Sequence, residues 1–262
     1  MKFLTLTAVA LSLVAARTPA TRIEPAARPR ALSFHHDGVL GTSADFRFVS
    51  TSPSAANRAH AIALAEIERL RLVLSSWDDK SELARLFAQG SLDHPSTELL
   101  AVLNAYTDWN TRTGHAYSAR VGALKPLWQQ AAAQGVAPDA EQLATIAREI
   151  AKPAWRVEAG RVVALTTQRP DLNSLGKGFI IDHALQVVRD SVPEIKGVLV
   201  NIGGDIHVWG TPADGGTWHV NVANPQSFAD NAAPLARLAL RGGAVSSSGD
   251  YQRGFNVGAR HY

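Results

Sequence analysis

The stretch GVLVNIGGDIHVWG, residues 197–210, constrains the fold more than any other part of the chain. GVLVNIGG is a continuous apolar run of the length a fully buried strand takes. Gly203 and Gly204 then make a tight turn, and IHVWG returns to strand chemistry instead of opening a helix. A dinucleotide-binding βαβ unit needs G-x-G-x-x-G at the mouth of a helix, so this pattern excludes that unit here. What remains is a hairpin whose glycines, Gly204 among them, let another group approach the backbone, with Asp205 available to bond it.

Helical and hairpin patterns fill the rest of the chain. GTSADFRFVS (41–50) alternates as a first strand, with Phe46 and Phe48 on one face. NRAHAIALAEIERLRLVLSS (57–76) sets Ile62, Ala65, Leu70, Val73 and Leu74 at helical spacing. A second helix is predicted from Ser96 to a stop at Gly114, burying Leu99, Leu103 and Tyr106. A third spans 139–152, capped by Asp139 and halted before Pro153, and a fourth runs from Gly178 to about Asp190. WRVEAGRVVAL reads as a hairpin turning at Gly160, and TWHVNVANP and LARLALRGGAVSSSG read as further strands. The final run, 251–262, places Phe255 and Val257 on one parity and turns at Gly258, a hairpin begun but not returned. Helices and hairpins in mixed order favour an α+β fold.

With 262 residues, 46% apolar and 19% charged, the chain is globular in composition. Its formal charge of +3 is spread singly along the sequence, so no nucleic-acid partner is expected. Lys2 followed by FLTLTAVALSLVAA reads as a secretory signal over 1–20, too short to span a bilayer, so stable membrane insertion is not expected. Residues 21–33 suit a linker, and the domain is expected over 34–262. The absence of Cys leaves no disulfide framework, which suits a free protein exported to a bacterial periplasm.

Four stretches invite chemical readings. In PDLNSLGKGFIID (170–182), Gly176 and Gly178 flank Lys177 where a helix is expected to begin, so amides, a dipole end and an ammonium converge as they would on a phosphate; a plain strand-to-helix turn is the alternative. HHD (35–37) lies on an extended segment whose neighbours face opposite ways, so it reads as surface and not as a metal site. WDDKSE (77–82) reads as a polar loop after a helix. SSSGDY (246–251) lacks the G-x-S-x-G context of a nucleophilic serine.

In chain order, LGT (40–42), DDKSELARL (78–86), GHAYSARVGALKPLW (114–128), DLNSLGKGFIID (171–182), VLVNIGGDI (198–206) and SSSGDY resemble the blocks of the ApbE-like FAD:protein FMN transferases. The resemblance implies an α/β roll with a mixed sheet and flanking helices. It implies magnesium-dependent transfer of FMN from FAD to a Thr or Ser hydroxyl of a partner flavoprotein, with release of AMP. It places FAD against Leu40, Gly41 and Thr42, against Ala116, Tyr117 and Ser118, and against Asp171, Lys177 and Gly178. The backbone carbonyl of Ser174 would serve Mg²⁺.

Two departures from the family pattern bear on activity. Ser118 and Arg120 stand where the family usually has G-x-F-D-P-T, which removes a carboxylate and leaves a neutral hydroxyl for FAD. The family's R-Y-x-H-I-x-D-P segment, with its catalytic His, and the following metal-binding Asp and Thr would lie beyond GARHY, so the C-terminal part is expected to be missing and His261 is not that base. A non-catalytic FAD-binding fragment and a periplasmic FAD pyrophosphatase are the competing expectations.

Overall fold

The computed structural model describes residues 28–227, 233–249 and 254–262; the expected signal and the start of the expected linker lie outside them. In chain order the elements are β1 (Arg30–Val39), β2 (Thr42–Ser50), α1 (Pro53–Leu74), α2 (Glu82–Gln89), β3 (Ser91–Asp93), α3 (Thr97–Arg112), α4 (Leu124–Gln134), α5 (Ala140–Ile150), β4 (Trp155–Glu158), β5 (Arg161–Ala164), α6 (Asn173–Ser191), β6 (Ile195–Ile202), β7 (Asp205–Gly210), β8 (Trp218–Val222), β9 (Ala236–Leu240), β10 (Gly243–Ser246), β11 (Asn256–Val257) and β12 (Arg260–His261). The main sheet has the order β1-β2-β6-β7-β10. Every ladder among the described residues is antiparallel, where a mixed sheet was expected. The fold is α+β.

Alternation along β2 and β6 decides the two faces of this sheet. Ala44, Phe46 and Phe48 with Val198, Val200 and Ile202 join one core with α1 and α6. Val49 and Val208 point the other way, under Trp218 of the β8–β9 hairpin. The buried face of α1 is Ala55, Ala56, Ala59, Ala63, Ile67, Leu70 and Leu74. Its alanines let α6, its main helical neighbour, lie close. Ala65, expected on that face, is exposed.

Several boundaries differ from those expected. β1 begins at Arg30, inside the expected linker, because Arg30 pairs with Ser50 at the far end of β2. α1 begins at Pro53, since Ser52 caps it by accepting from the Ala55 amide and proline suits the first helical position. α2 occupies part of the expected polar loop, capped by Ser81 and burying Leu83, Leu86 and Phe87. The last hairpin does return: Phe255 and Tyr262 exchange backbone hydrogen bonds of 2.8 and 2.9 Å, and Gly258 turns with φ of 57°. It packs on α4, with Tyr262 at 4.8 Å and Phe255 at 6.5 Å from Trp128 between ring centres.

Candidate functional site

One end of the sheet gathers most of the sequence-selected residues. Leu40 and Gly41 form the two-residue turn between β1 and β2, and both have positive φ, 50° and 78°, as a type I′ turn requires. Leu40 holds that conformation at a cost of roughly 1–2 kcal/mol, and its side chain packs on the main core. Thr42, next in line, lies against the β6–β7 turn: a Cβ on Gly203 would sit 2.6 Å from Thr42 Cγ2. The Gly203 amide donates to the Ser43 carbonyl at 3.1 Å. Beyond it, the Gly204 amide donates to Asn201 Oδ1 at 3.0 Å, and the Ser247 amide donates to the Gly204 carbonyl at 3.3 Å. Asp205 then receives Lys177 Nζ on one oxygen at 2.8 Å and the Ser246 hydroxyl on the other.

A second group surrounds the start of α6. Asp171 donates its amide to the Ala119 carbonyl at 2.7 Å, and its Oδ1 accepts from the Asn173 amide at 2.8 Å, so the carboxylate serves the first turn of the helix. Ser174 Oγ lies 2.8 Å from the Tyr106 hydroxyl and 2.5 Å from the Tyr117 hydroxyl. The two tyrosine rings stack at 5.4 Å between centres, and Trp155 meets Tyr106 edge-on. Burial holds the Tyr106 phenol well above its ordinary pKa, against the opposing bond to Ser174, so it stays protonated and serves as a donor. Tyr106 was expected only as core; its ring is buried, and its hydroxyl also reaches this group. Trp77, 74% exposed, lies on a loop pinned by the Ser76 hydroxyl donating to the Pro170 carbonyl at 2.6 Å.

Two expectations are corrected here. The helix starts at Asn173 and not at Gly178, so Gly176 and Gly178 do not form a free amide cradle: the Gly176 amide is already bonded to the Leu172 carbonyl at 2.6 Å. Ser118 does not present its hydroxyl to a ligand. It is buried and donates to the Ile150 carbonyl at 2.6 Å, while Arg120 Nη1 donates to the Glu149 carbonyl at 2.6 Å; the pair caps the C-terminal end of α5. Ala116, just before, is exposed. In the HHD trio His35 and Asp37 share the outer face, with His35 Nε2 3.5 Å from Asp37 Oδ1 and its Nδ1 on Asp45, whereas His36 faces the other way, is half-buried and pairs with His60 of α1, which a surface segment would not do.

A cleft of about 290 Å³ runs between α6, β7 and β10, lined by Ser174, Gly178, Asp182, Asp205, His207 and Ser246 among others. At its other end His207 Nδ1 is 2.5 Å from Asp182 Oδ1. A larger cavity of about 420 Å³ lies beneath the β8–β9 hairpin and shares no residue with these groups. Gly178 has no atom within 4 Å of where a Cβ would be, which keeps the cleft open at mid-length. Among the described residues no three His, Cys, Asp or Glu side chains converge as a metal site. Asp205 is paired with Lys177, Asp171 Oδ1 is bonded to the Asn173 amide and no third carboxylate or imidazole converges with them, so these residues alone do not fit a magnesium ion, which takes near-octahedral oxygen donors.

The protein is thus an α+β fold in which α6 and one end of the antiparallel sheet together carry a Lys–Asp pair, a tyrosine-bonded serine and a polar cleft. The ApbE family model matches residues 40–262, and the chain belongs to that family. The FAD:protein FMN transferase of Treponema pallidum (strain Nichols) is 26% identical over 239 residues, 83% of this chain and 64% of that protein. The one from Klebsiella pneumoniae (strain 342) is 26% identical over 152 residues, 56% of this chain and 44% of the relative. The chain therefore spans less than two thirds of the length of either. Among solved structures, the ApbE protein of Thermotoga maritima superposes with a TM-score of 0.72 at 22% identity, covering 89% of this chain and 75% of that one. The apo flavinyl transferase ApbE of Pseudomonas stutzeri gives 0.70 at 20%, covering 90% and 73%. Those likenesses show the fold.

Proposed function

We propose that this protein binds FAD at the sheet end and transfers its FMN half to a Thr or Ser hydroxyl of a partner flavoprotein in the periplasm. The acceptor oxygen attacks the FMN phosphorus, a new P–O bond forms, the pyrophosphate P–O bond to AMP breaks, and AMP leaves with the electron pair while the hydroxyl proton is lost. The observation that carries this is the Lys177–Asp205 pair, whose carboxylate lines the cleft and follows directly on the Gly203–Gly204 turn. Lys177, oriented by Asp205, supplies the cation that a pyrophosphate demands. The exposed indole of Trp77, on the loop that Ser76 ties to Pro170, offers a face on which the flavin ring can stack. Tyr106 and Tyr117 hold Ser174 in place as the helix begins. Both relatives above carry the name FAD:protein FMN transferase, which supports the reading.

The test is incubation with FAD and a flavoprotein acceptor, with magnesium or with a chelator, followed by in-gel flavin fluorescence and AMP quantification. Fluorescent acceptor and equimolar AMP are expected. Free FMN with AMP and an unlabelled acceptor would instead establish an FAD pyrophosphatase, and FAD retention with neither product a binding fragment.

A further inference from the structure

His207 is a polar group lining the cleft to which the proposed transfer gives no task. It lies on β7 two residues beyond Asp205, and Asp182 lies on α6 five residues beyond Lys177. Two strand residues advance about 7 Å, and five helical residues advance about 7.5 Å, so β7 and α6 advance by similar amounts from the Lys177–Asp205 pair to the His207–Asp182 pair. Ala244 pairs with His207 on β10, and Gly178 lies between the two pairs on α6, so small residues keep the space beside His207 open. Asp182 Oδ1 accepts from Nδ1 at 2.5 Å. An ionised carboxylate can only accept, so the proton of the neutral ring belongs on Nδ1 and Nε2 is left as an acceptor. Nε2 has no hydrogen-bond partner among the described residues.

We propose that His207 recognises the bound nucleotide by accepting, through Nε2, a hydrogen bond from a sugar hydroxyl, with Asp182 as the positioning residue that fixes its tautomer. This rests on the FAD reading above and goes beyond it by naming the group that senses the sugar. The hydroxyl belongs either to the ribose of the AMP half or to the ribityl chain of the FMN half. The shared chemistry is an O–H donor within reach of His207 Nε2 in the cleft.

Calorimetric titrations of FAD, AMP, 2′,3′-dideoxy-AMP and FMN into the full chain test it, with His207→Leu, His207→Gln and Asp182→Ala variants whose folding is checked by circular dichroism. His207→Leu is expected to weaken FAD about fivefold, the equivalent of one hydrogen bond. His207→Gln, which keeps an acceptor, stays within about twofold, and Asp182→Ala falls between. The same loss on AMP but not on dideoxy-AMP assigns the ribose; loss on FMN with AMP unchanged assigns the ribityl chain. FAD, AMP and FMN binding unaltered in His207→Leu overturns the inference alone, as does an equal loss on AMP and dideoxy-AMP. No binding of FAD to the unaltered chain overturns the functional reading and this inference together.

Discussion

Replacing Gly203 by Ala tests how the β1–β2 turn is locked to the β6–β7 turn. Gly203 has φ of +58°, where an L residue costs roughly 1–2 kcal/mol. Its new Cβ would stand 2.6 Å from Thr42 Cγ2, 2.9 Å from Oγ1 and 3.1 Å from Cβ. Overpacking of this kind costs about 1–3 kcal/mol, so Gly203→Ala is expected to lose about 2–5 kcal/mol in all. Thr42→Ala removes the two closest atoms and leaves only the 3.1 Å approach, which a shift of a few tenths of an ångström relieves. Placed on the Gly203→Ala background it should restore about 1–2 kcal/mol, although alone it destabilises. Urea unfolding of the two single variants and the double, followed by tryptophan fluorescence, closes the cycle. Strict additivity, or a neutral Gly203→Ala, would refute the contact and with it the claim that Thr42 and Gly203 build the site jointly.

Three further outcomes follow from the same structure. His60 and His36 share one contact of 2.8 Å between their Nε2 atoms, which accommodates one bridging proton and not two, and burial first, then His36, hold His60 below its usual 6.5. The folded state therefore favours neutral His60 while the unfolded chain takes up its proton. Stability should fall as pH drops from about 6.5 toward the depressed folded value, and His60→Phe should flatten that limb of the urea midpoint against pH. Tyr106→Phe removes a hydroxyl bonded to Ser174 and the Asp171 carbonyl and should cost about 1 kcal/mol by chemical unfolding, with weaker FAD binding as Ser174 loosens. Ser118→Ala should destabilise by about 1–2 kcal/mol through the Ile150 carbonyl it leaves unbonded, yet leave FAD affinity unchanged; a lost affinity would return Ser118 to the ligand site.

Patterns that rest on periodicity were legible in the sequence. The apolar run of β6, the turn at Gly203–Gly204 and the return of β7 are where 197–210 placed them, because a buried strand and a two-glycine turn leave few alternatives. The start of α6 was misplaced because glycine is a poor helix former, at about 1 kcal/mol against alanine. Here the Asp171 carboxylate and the Leu172 carbonyl nucleate the helix five residues upstream of Gly178. α4 escaped notice because Pro126 reads as punctuation, although in the first turn of a helix a proline removes no hydrogen bond. At the site, the family-like blocks drew attention to Lys177 and Asp205 individually, and their pairing is a tertiary fact. His207 carried no local signal, since a His in an alternating strand is ordinary. Only its partner Asp182, brought from another element, distinguishes it. Arg120 and Ser118 were weighed as a lost ligand contact, whereas the α5 carbonyls that claim them lie about thirty residues away in sequence.

The most direct measurement is an FAD titration of the unaltered chain and of Lys177→Met, read by calorimetry and flavin fluorescence. Saturable binding with one FAD per chain, weakened about tenfold or more by losing the ammonium, is what the account predicts. Absence of saturable binding, or equal affinity for the two proteins, would contradict it.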